Sequence, residues 1–223
     1  MNGFDPLVSV EEVSRKFPLD HRDVTALDHA SLEVSGGEFL AISGPSGSGK
    51  STLLHLMAGL DKPTSGFVRW PALGPETELR PDQICMVFQA PSLLPTLTVV
   101  ENVELSWLLS KRNQAEARPA ALGILEKLGL SVIANKLPGE LSGGQMQRVA
   151  VARAVVCEPR LILADEPTGQ LDSGTASKLI GVLTELASHA GAALVIATHD
   201  KSVAGRMQTQ WGIAHGKLEQ RPT

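Results

Sequence analysis

The stretch Phe39-Leu40-Ala41-Ile42-Ser43-Gly44-Pro45-Ser46-Gly47-Ser48-Gly49-Lys50-Ser51-Thr52-Leu53-Leu54 decides the fold. An apolar run of strand length enters a turn with glycines at 44, 47 and 49, and an amphipathic helix carrying Leu53, Leu54 and Met57 follows. The turn matches the pattern G-x-x-x-x-G-K-S. Glycine lets the backbone curl closely and aim successive N–H groups at anionic oxygens. The helix, spanning roughly Lys50 to Ala58, adds the positive end of its dipole. Lys50 is placed to reach the β- and γ-phosphates of a nucleotide, and the Ser51 hydroxyl to bind Mg²⁺. A flexible Gly/Ser turn can carry the same letters by chance, but a flanking strand and amphipathic helix argue against that reading.

Working outward, other apolar runs also stop at polar residues. Ile84–Phe88 leads to Gln89, Leu161–Ala164 to Asp165, and Ala193–Thr198 to His199. Continuous apolar runs of this length fit strands covered on both faces, as in a parallel sheet flanked by helices. Ligands of such sheets bind beyond the carboxyl ends of the strands, where these polar residues fall. Asp165 at a strand end can hold Mg²⁺, and Glu166 can face an attacking water as general base. An Asp-Glu pair alone is often a helix start or a solvated corner; beside a phosphate loop the chemical reading prevails.

Helices fit between the strands. Ala176, Leu179, Ile180, Leu183, Leu186 and Ala187 recur at helical spacing, with Gly191 as a stop signal. From Thr98 to Leu137 the pattern is helical and strand-free, which predicts a helical insertion entered through an irregular loop at Pro91 and Pro95. Trp211–Leu218 alternates around Gly216 as a small hairpin.

The whole chain is 223 residues, 43% hydrophobic and 20% charged, so it has material for one full globular domain and is not a disordered segment. Its net charge of −4, without a dense basic run, predicts no nucleic-acid partner. Cys85 and Cys157 stand apart among apolar neighbours and read as reduced core residues. Met1–Pro6 has neither a basic region nor an apolar stretch, and no run approaches the ~18–20 apolar residues of a membrane span. A cytosolic chain is expected.

Leu141-Ser142-Gly143-Gly144-Gln145 has two readings. Ser-x-x-Gln is a capping box, worth about 1 kcal/mol and silent on function. Yet two glycines in a first turn cost roughly 1 kcal/mol each in helix propensity. They make sense where something large approaches the N–H groups, because a serine-capped, glycine-opened helix start is an anion site.

Taken together, these motifs resemble the ATP-binding subunits of ABC transporters over nearly the whole chain. Gly44–Thr52 is similar to Walker A, Gln89 to the Q-loop, Leu141–Gln145 to the signature, and Leu161–Glu166 to Walker B. Leu171-Asp172 is similar to the D-loop and His199 to the H-loop. Gly59–Gly66, Val87-Phe88-Gln89 with Leu93-Leu94-Pro95 and Glu101-Asn102-Val103, and Asp165–Gly169 resemble the macrolide-exporter, lipoprotein-releasing and cell-division branch.

The resemblance implies an α/β fold: a P-loop NTPase (RecA-like) core with a mainly parallel sheet, a small N-terminal antiparallel β subdomain and an inserted helical subdomain. The whole of 1–223 is expected to form a single ATPase domain. Residues 1–90 and 159–223 are expected to form the core with the antiparallel subdomain, and 91–158 the helical subdomain.

It further implies Mg-dependent ATP hydrolysis in a head-to-tail pair of chains. ATP would lie on Gly44, Pro45, Ser46, Gly47, Ser48, Gly49, Lys50, Ser51 and Thr52. The chain has no tyrosine, so Phe17 takes the adenine-stacking position. Ser51, Gln89 and Asp165 would hold Mg²⁺, and Glu166, His199, Lys50 and Gln89 would act in catalysis. Ser142, Gly143, Gly144 and Gln145 would contact the partner's ATP, with Asp172 at the dimer interface. A membrane permease would dock near Gln89–Leu97, leaving the chain peripheral on the inner face of the membrane. The work driven would be export or lipid, lipoprotein or antimicrobial handling; the alternative is a regulatory ATPase that signals across the membrane without transport. The stretch from Gly66 to Gln89 is short for the branch, and a trimmed antiparallel subdomain is expected there.

Overall fold

The computed structural model describes residues 5–19 and 22–221. Met1–Phe4, part of the segment read above for a leader, lie outside the described residues. Two sheets organise the chain. The larger has six strands in the order β5 (Ile84–Val87), β6 (Leu161–Asp165), β7 (Ala193–Thr198), β3 (Phe39–Ser43), β8 (Thr209–Ala214) and β9 (Lys217–Arg221). Every pairing in it is parallel except the last, the β8–β9 hairpin. The smaller sheet is antiparallel, with β1 (Val8–Leu19) between β2 (Arg22–Val34) and β4 (Ser65–Arg69). After β4 the chain runs through turns and a single 3-10 turn at Glu76–Glu78 before reaching β5.

The apolar runs become the central strands because both of their faces are covered. All residues of β6 and β7 are buried. Their side chains alternate between two cores. Leu161, Leu163, Val195 and Ala197 face one with α1 (Lys50–Met57) and the antiparallel sheet; Ile162, Ala164, Leu194 and Ile196 face the other with the remaining helices. Each fully buried Leu or Ile contributes about 1.5–3 kcal/mol.

On the second face, α2 (Val99–Leu108), α3 (Ala117–Lys127) and α4 (Gly143–Val155) pack on one another as a helical insertion. Thr98 and Glu101 close a reciprocal capping box at the start of α2. α5 (Ser173–Ala190) starts at an Asp172 cap and stops at Gly191, whose φ of 63° is left-handed. α6 (Lys201–Ala204) follows β7. No helix among the described residues is long and apolar enough to cross a membrane. Cys85 and Cys157 are free and buried, and burial pushes the Cys157 thiol up to about 11.

Candidate nucleotide site

Beyond the carboxyl ends of β3, β6 and β7 lies a cavity of about 530 Å³. Pro45, Ser46, Gly47, Gly49, Lys50, Ser51 and Thr52 form one wall, with Gln89, Glu166 and His199 opposite and Ala26 of β2 at the rim. A cavity of about 570 Å³ sits at the other end of the sheet around Ile124, Ile162, Leu186 and His189. None of the phosphate-loop or strand-end residues lines that second cavity.

The loop's glycines have local causes. A Cβ on Gly44 would stand 2.2 Å from the Ile213 carbonyl, and one on Gly49 (φ 109°) 2.3 Å from the Ala26 carbonyl. The backbones of β8 and β2 press on the loop and hold its curl. Ser48 is buried beside Gly44, where its Oγ would lie 2.8 Å from an added Cβ. Lys50 is 6% exposed and donates to the Gly44 carbonyl at 2.9 Å and the Pro45 carbonyl at 3.1 Å.

Glu166 meets that lysine and links it to His199. Glu166 Oε1 lies 3.4 Å from Lys50 Nζ, and Glu166 Oε2 lies 2.9 Å from His199 Nδ1. The backbone at Glu166 has φ 44°, a left-handed conformation costing a non-glycine residue of order 1–3 kcal/mol. Its N–H donates to the Ala197 carbonyl at 2.9 Å, which ties it to the end of β7. Strain at this position aims the carboxylate into the cavity rather than along the strand.

Asp165 sits beneath, 5% exposed, with Oδ1 lacking a hydrogen-bond partner among the described residues. Burial raises its carboxyl above the ordinary carboxylate range, while a hydrogen bond with Ser51 works the other way. An orphaned buried carboxylate oxygen beside a hydroxyl fits a hard cation with oxygen ligands.

The remaining candidates lie elsewhere. Ser142 caps α4 and is exposed: its Oγ accepts from Gln145 N at 3.3 Å, and Gln145 Oε1 accepts from Ser142 N at 2.9 Å. The capping box is therefore present, and one end of the Gln145 amide is committed to it. A Cβ on Gly143 would meet nothing closer than 4.0 Å, so packing within the chain does not require glycine there. At Gly144 the nearest atom would be Leu171 Cδ2 at 3.2 Å. Ser142–Gln145, Asp172 and Phe17 do not line the phosphate-loop cavity. Asp172 accepts from Thr175 N at 3.0 Å, and the Thr175 hydrogen bonds hold its carboxyl below the usual range. Phe17 stands 39% exposed on β1 rather than in a core.

The family model described as ABC transporter matches residues 27–169, from β2 past the Walker B carboxylates. The chain belongs to the ABC transporter ATP-binding family. Its relatives include the uncharacterised ABC transporter ATP-binding protein YvrO of Bacillus subtilis, 42% identical over 95% of both chains. The lipoprotein-releasing system ATP-binding protein LolD of Legionella pneumophila is 41% identical over 97% of this chain and 99% of its own length. The macrolide export ATP-binding/permease protein MacB of Hyphomonas neptunium is 44% identical over 96% of this chain, which spans 34% of MacB. Among solved structures, the ATP-binding cassette MJ0796 in a dimeric post-hydrolysis state with ADP and Pi superposes with a TM-score of 0.88. Identity is 38% over 97% of this chain and all of that one. This ABC cassette is an ATP-binding and ATP-hydrolysing subunit.

Three side chains with no role assigned from sequence hold the segment around Gln89. Arg153 of α4 donates to the Ser92 and Pro91 carbonyls at 2.8 and 2.9 Å, and Gln147 Nε2 donates to the Phe88 carbonyl at 3.4 Å. Asn102, fully buried on α2, accepts from Leu94 N at 2.8 Å and donates to the Leu97 carbonyl at 2.9 Å. The sequence does carry a signal for them: a polar residue on an otherwise apolar helix stripe, beside Val99 and Val103 for Asn102, and Val149 and Ala150 for Gln147.

Asp165→Asn is expected to raise the melting temperature of the nucleotide-free cassette at neutral pH. A carboxyl whose folded pKa is raised stabilises the fold below its unfolded value, near 4, and that contribution is lost as pH rises through the folded value. Removing the buried charge at pH 7 should gain about 2–4 °C per kcal/mol in a chain of this size. The gain should shrink as pH is lowered towards ~4, and Mg-nucleotide should stabilise only the unsubstituted chain strongly. Differential scanning calorimetry across pH checks this; a lower melting temperature for the variant at pH 7 contradicts it.

Proposed function

We propose that this cassette hydrolyses Mg-ATP as one half of a head-to-tail pair and drives a separate membrane permease. The observation that carries the shared site is the start of α4, serine-capped and bearing a Gly143 that the chain itself does not need, yet outside the lining of its own phosphate-loop cavity. A twofold pair brings each α4 start over the other chain's cavity and creates two equivalent sites. There Ser142, the Gly143 and Gly144 N–H groups and the Gln145 side chain supply charge stabilisation in trans. An arginine does this in other phosphoryl-transfer enzymes, worth about 10³–10⁵ in rate. Asp172 follows the Leu171 that approaches Gly144 and organises the contact. The MJ0796 cassette was solved as a dimer, including with ADP and Pi.

Within each site Gly44–Thr52 wraps the phosphates. Lys50 turns from the Gly44 and Pro45 carbonyls to the β- and γ-phosphates. Glu166 takes the proton of the attacking water, and His199 orients that carboxylate and holds the γ-phosphoryl group. Ser51, Gln89 and Asp165 would hold Mg²⁺, which supplies neutralisation of phosphate charge. Phe17 stacks on adenine.

The permease docks on Gln89–Leu97, where Leu94 is 42% exposed and the backbone is braced by Arg153 and Asn102. The cassette thereby lies on the inner face of the membrane, with 1–90 and 159–223 as its core and 91–158 as the helical unit. The names of MacB and LolD support export or lipid, lipoprotein or antimicrobial handling, with the membrane part assigned here to a partner chain.

If the pair is the active species, ATPase rate per chain should fall on dilution below the dimer dissociation constant and plateau above it. Specific activity that stays constant while light scattering reports monomer would overturn the shared site. Tagged cassette solubilised from membranes should co-purify with a membrane-spanning chain.

A further inference from the structure

The segment leaving the phosphate-loop helix grips the strand that carries Phe17. Thr64 N donates to the Ser14 carbonyl at 2.8 Å, and Lys16 N donates to Thr64 Oγ1 at 3.0 Å. Between them Arg15 makes a two-pronged contact with Asp61: Nε to Oδ2 at 2.8 Å and a terminal nitrogen to Oδ1 at 2.9 Å. Asp61 in turn accepts from Lys62 N at 2.8 Å, which fixes its carboxylate. A fork-to-carboxylate pair of this kind sets orientation as well as distance.

The same guanidinium lies over the Phe17 ring, 4.4 Å from its centroid. Arg15 and Phe17 are two apart on β1, and this contact puts them on one face of the strand. One side of the ring is therefore backed by a planar cation, and the ring remains 39% exposed. No other aromatic ring packs on it among the described residues. Phe17 on its own is an exposed side chain free to change rotamer; stacked on an immobilised guanidinium it becomes a plate with one face on offer.

We infer that Arg15, anchored by Asp61, is a positioning residue for the nucleobase. It fixes the Phe17 ring at a set offset from the phosphate-loop helix, so that base and phosphates bind as one rigid ligand. This rests on the stacking role proposed for Phe17. Lysine at 15 would keep the charge but lose both the fork and the planar group over the ring.

The test compares binding of Mg-ADP with that of Mg-tripolyphosphate, which has no base, by calorimetry on the intact chain. Phe17→Ala should weaken ADP about 5- to 150-fold, the range for loss of a base stack, and spare tripolyphosphate. Arg15→Ala should weaken ADP about 2- to 5-fold, as for an exposed cation–π contact, again sparing tripolyphosphate. Added to Phe17→Ala it should have no further effect. Asp61→Asn should mimic Arg15→Ala and serves if that variant does not fold. Unchanged ADP affinity in Arg15→Ala and Asp61→Asn, with Phe17→Ala impaired, overturns the positioning role and leaves stacking intact. Equal weakening of both ligands by Arg15→Ala also overturns it, since the pair then supports the phosphate loop generally. If Phe17→Ala binds ADP normally, the stacking role falls and the positioning role with it.

Discussion

Glu166→Gln should reduce steady-state hydrolysis by a factor of about 10²–10⁴, the range for removal of a general base, while ATP still binds. The substitution is nearly isosteric and can keep a hydrogen bond with His199, whose ring nitrogen lies 2.9 Å from Glu166 Oε2. What it removes is basicity: an amide oxygen cannot take a proton from water at neutral pH. Binding should survive because, in the proposed site, the phosphates rest on backbone N–H groups of the loop and on Lys50. It should even tighten, because the negative charge 3.4 Å from Lys50 is deleted where a polyanion must settle. With hydrolysis stalled and ATP bridging two chains, a dimer should accumulate. Single-turnover hydrolysis and light scattering with Mg-ATP measure both. Turnover within a few-fold of the unsubstituted chain would remove Glu166 from the base role, and a purely monomeric variant would remove the bridge.

The strand-end residues were legible because their strands were. A run such as Leu161–Ala164, apolar at every position, has one economical solution, a strand covered on both faces, and that delivers Asp165 and Glu166 to the sheet's carboxyl edge. The same logic places Gln89 and His199 around the cavity. β1 and β2 gave no such signal. Their alternation is broken by register shifts between Val10 and Lys16, with Glu12 and His29 both at φ 49°. A bulge moves the inward face by one residue and hides the period of two. The supports of the segment around Gln89 showed only as polar residues on apolar helix stripes, with no hint of what they hold. Arg153, Gln147 and Asn102 act on backbone N–H and carbonyl groups, which nearly every residue has, so the partner leaves no letter to match. Gly143 shows the reverse case. Propensity marked it as anomalous, and the structure finds no local reason for it.

That anomaly underlies the second large effect. Ser142→Arg should abolish turnover while leaving ADP affinity of the single chain unchanged, because Ser142 does not line the cavity that holds its own phosphates. Locally the change removes the Oγ that accepts from Gln145 N, a loss of about 0.5–2 kcal/mol of helix capping, too little to unfold the cassette. It also sets a long cationic side chain where the other chain's nucleotide must close. Lys50→Ala should fail at the opposite half, since its own phosphate loop is defective while its α4 start is intact. Mixed in equal amounts, the two inactive variants form heterodimers in which the phosphate loop of the first meets the α4 start of the second. One complete site is restored per heterodimer. Random pairing of a twofold assembly with independent sites then caps the recovered rate at about a quarter of that of the unsubstituted pair. Differently tagged chains allow the heterodimer to be isolated and assayed directly. If it forms and hydrolyses ATP no faster than either parent, the two halves do not share their sites. Recovered activity, by contrast, is incompatible with a catalytic centre contained in one chain.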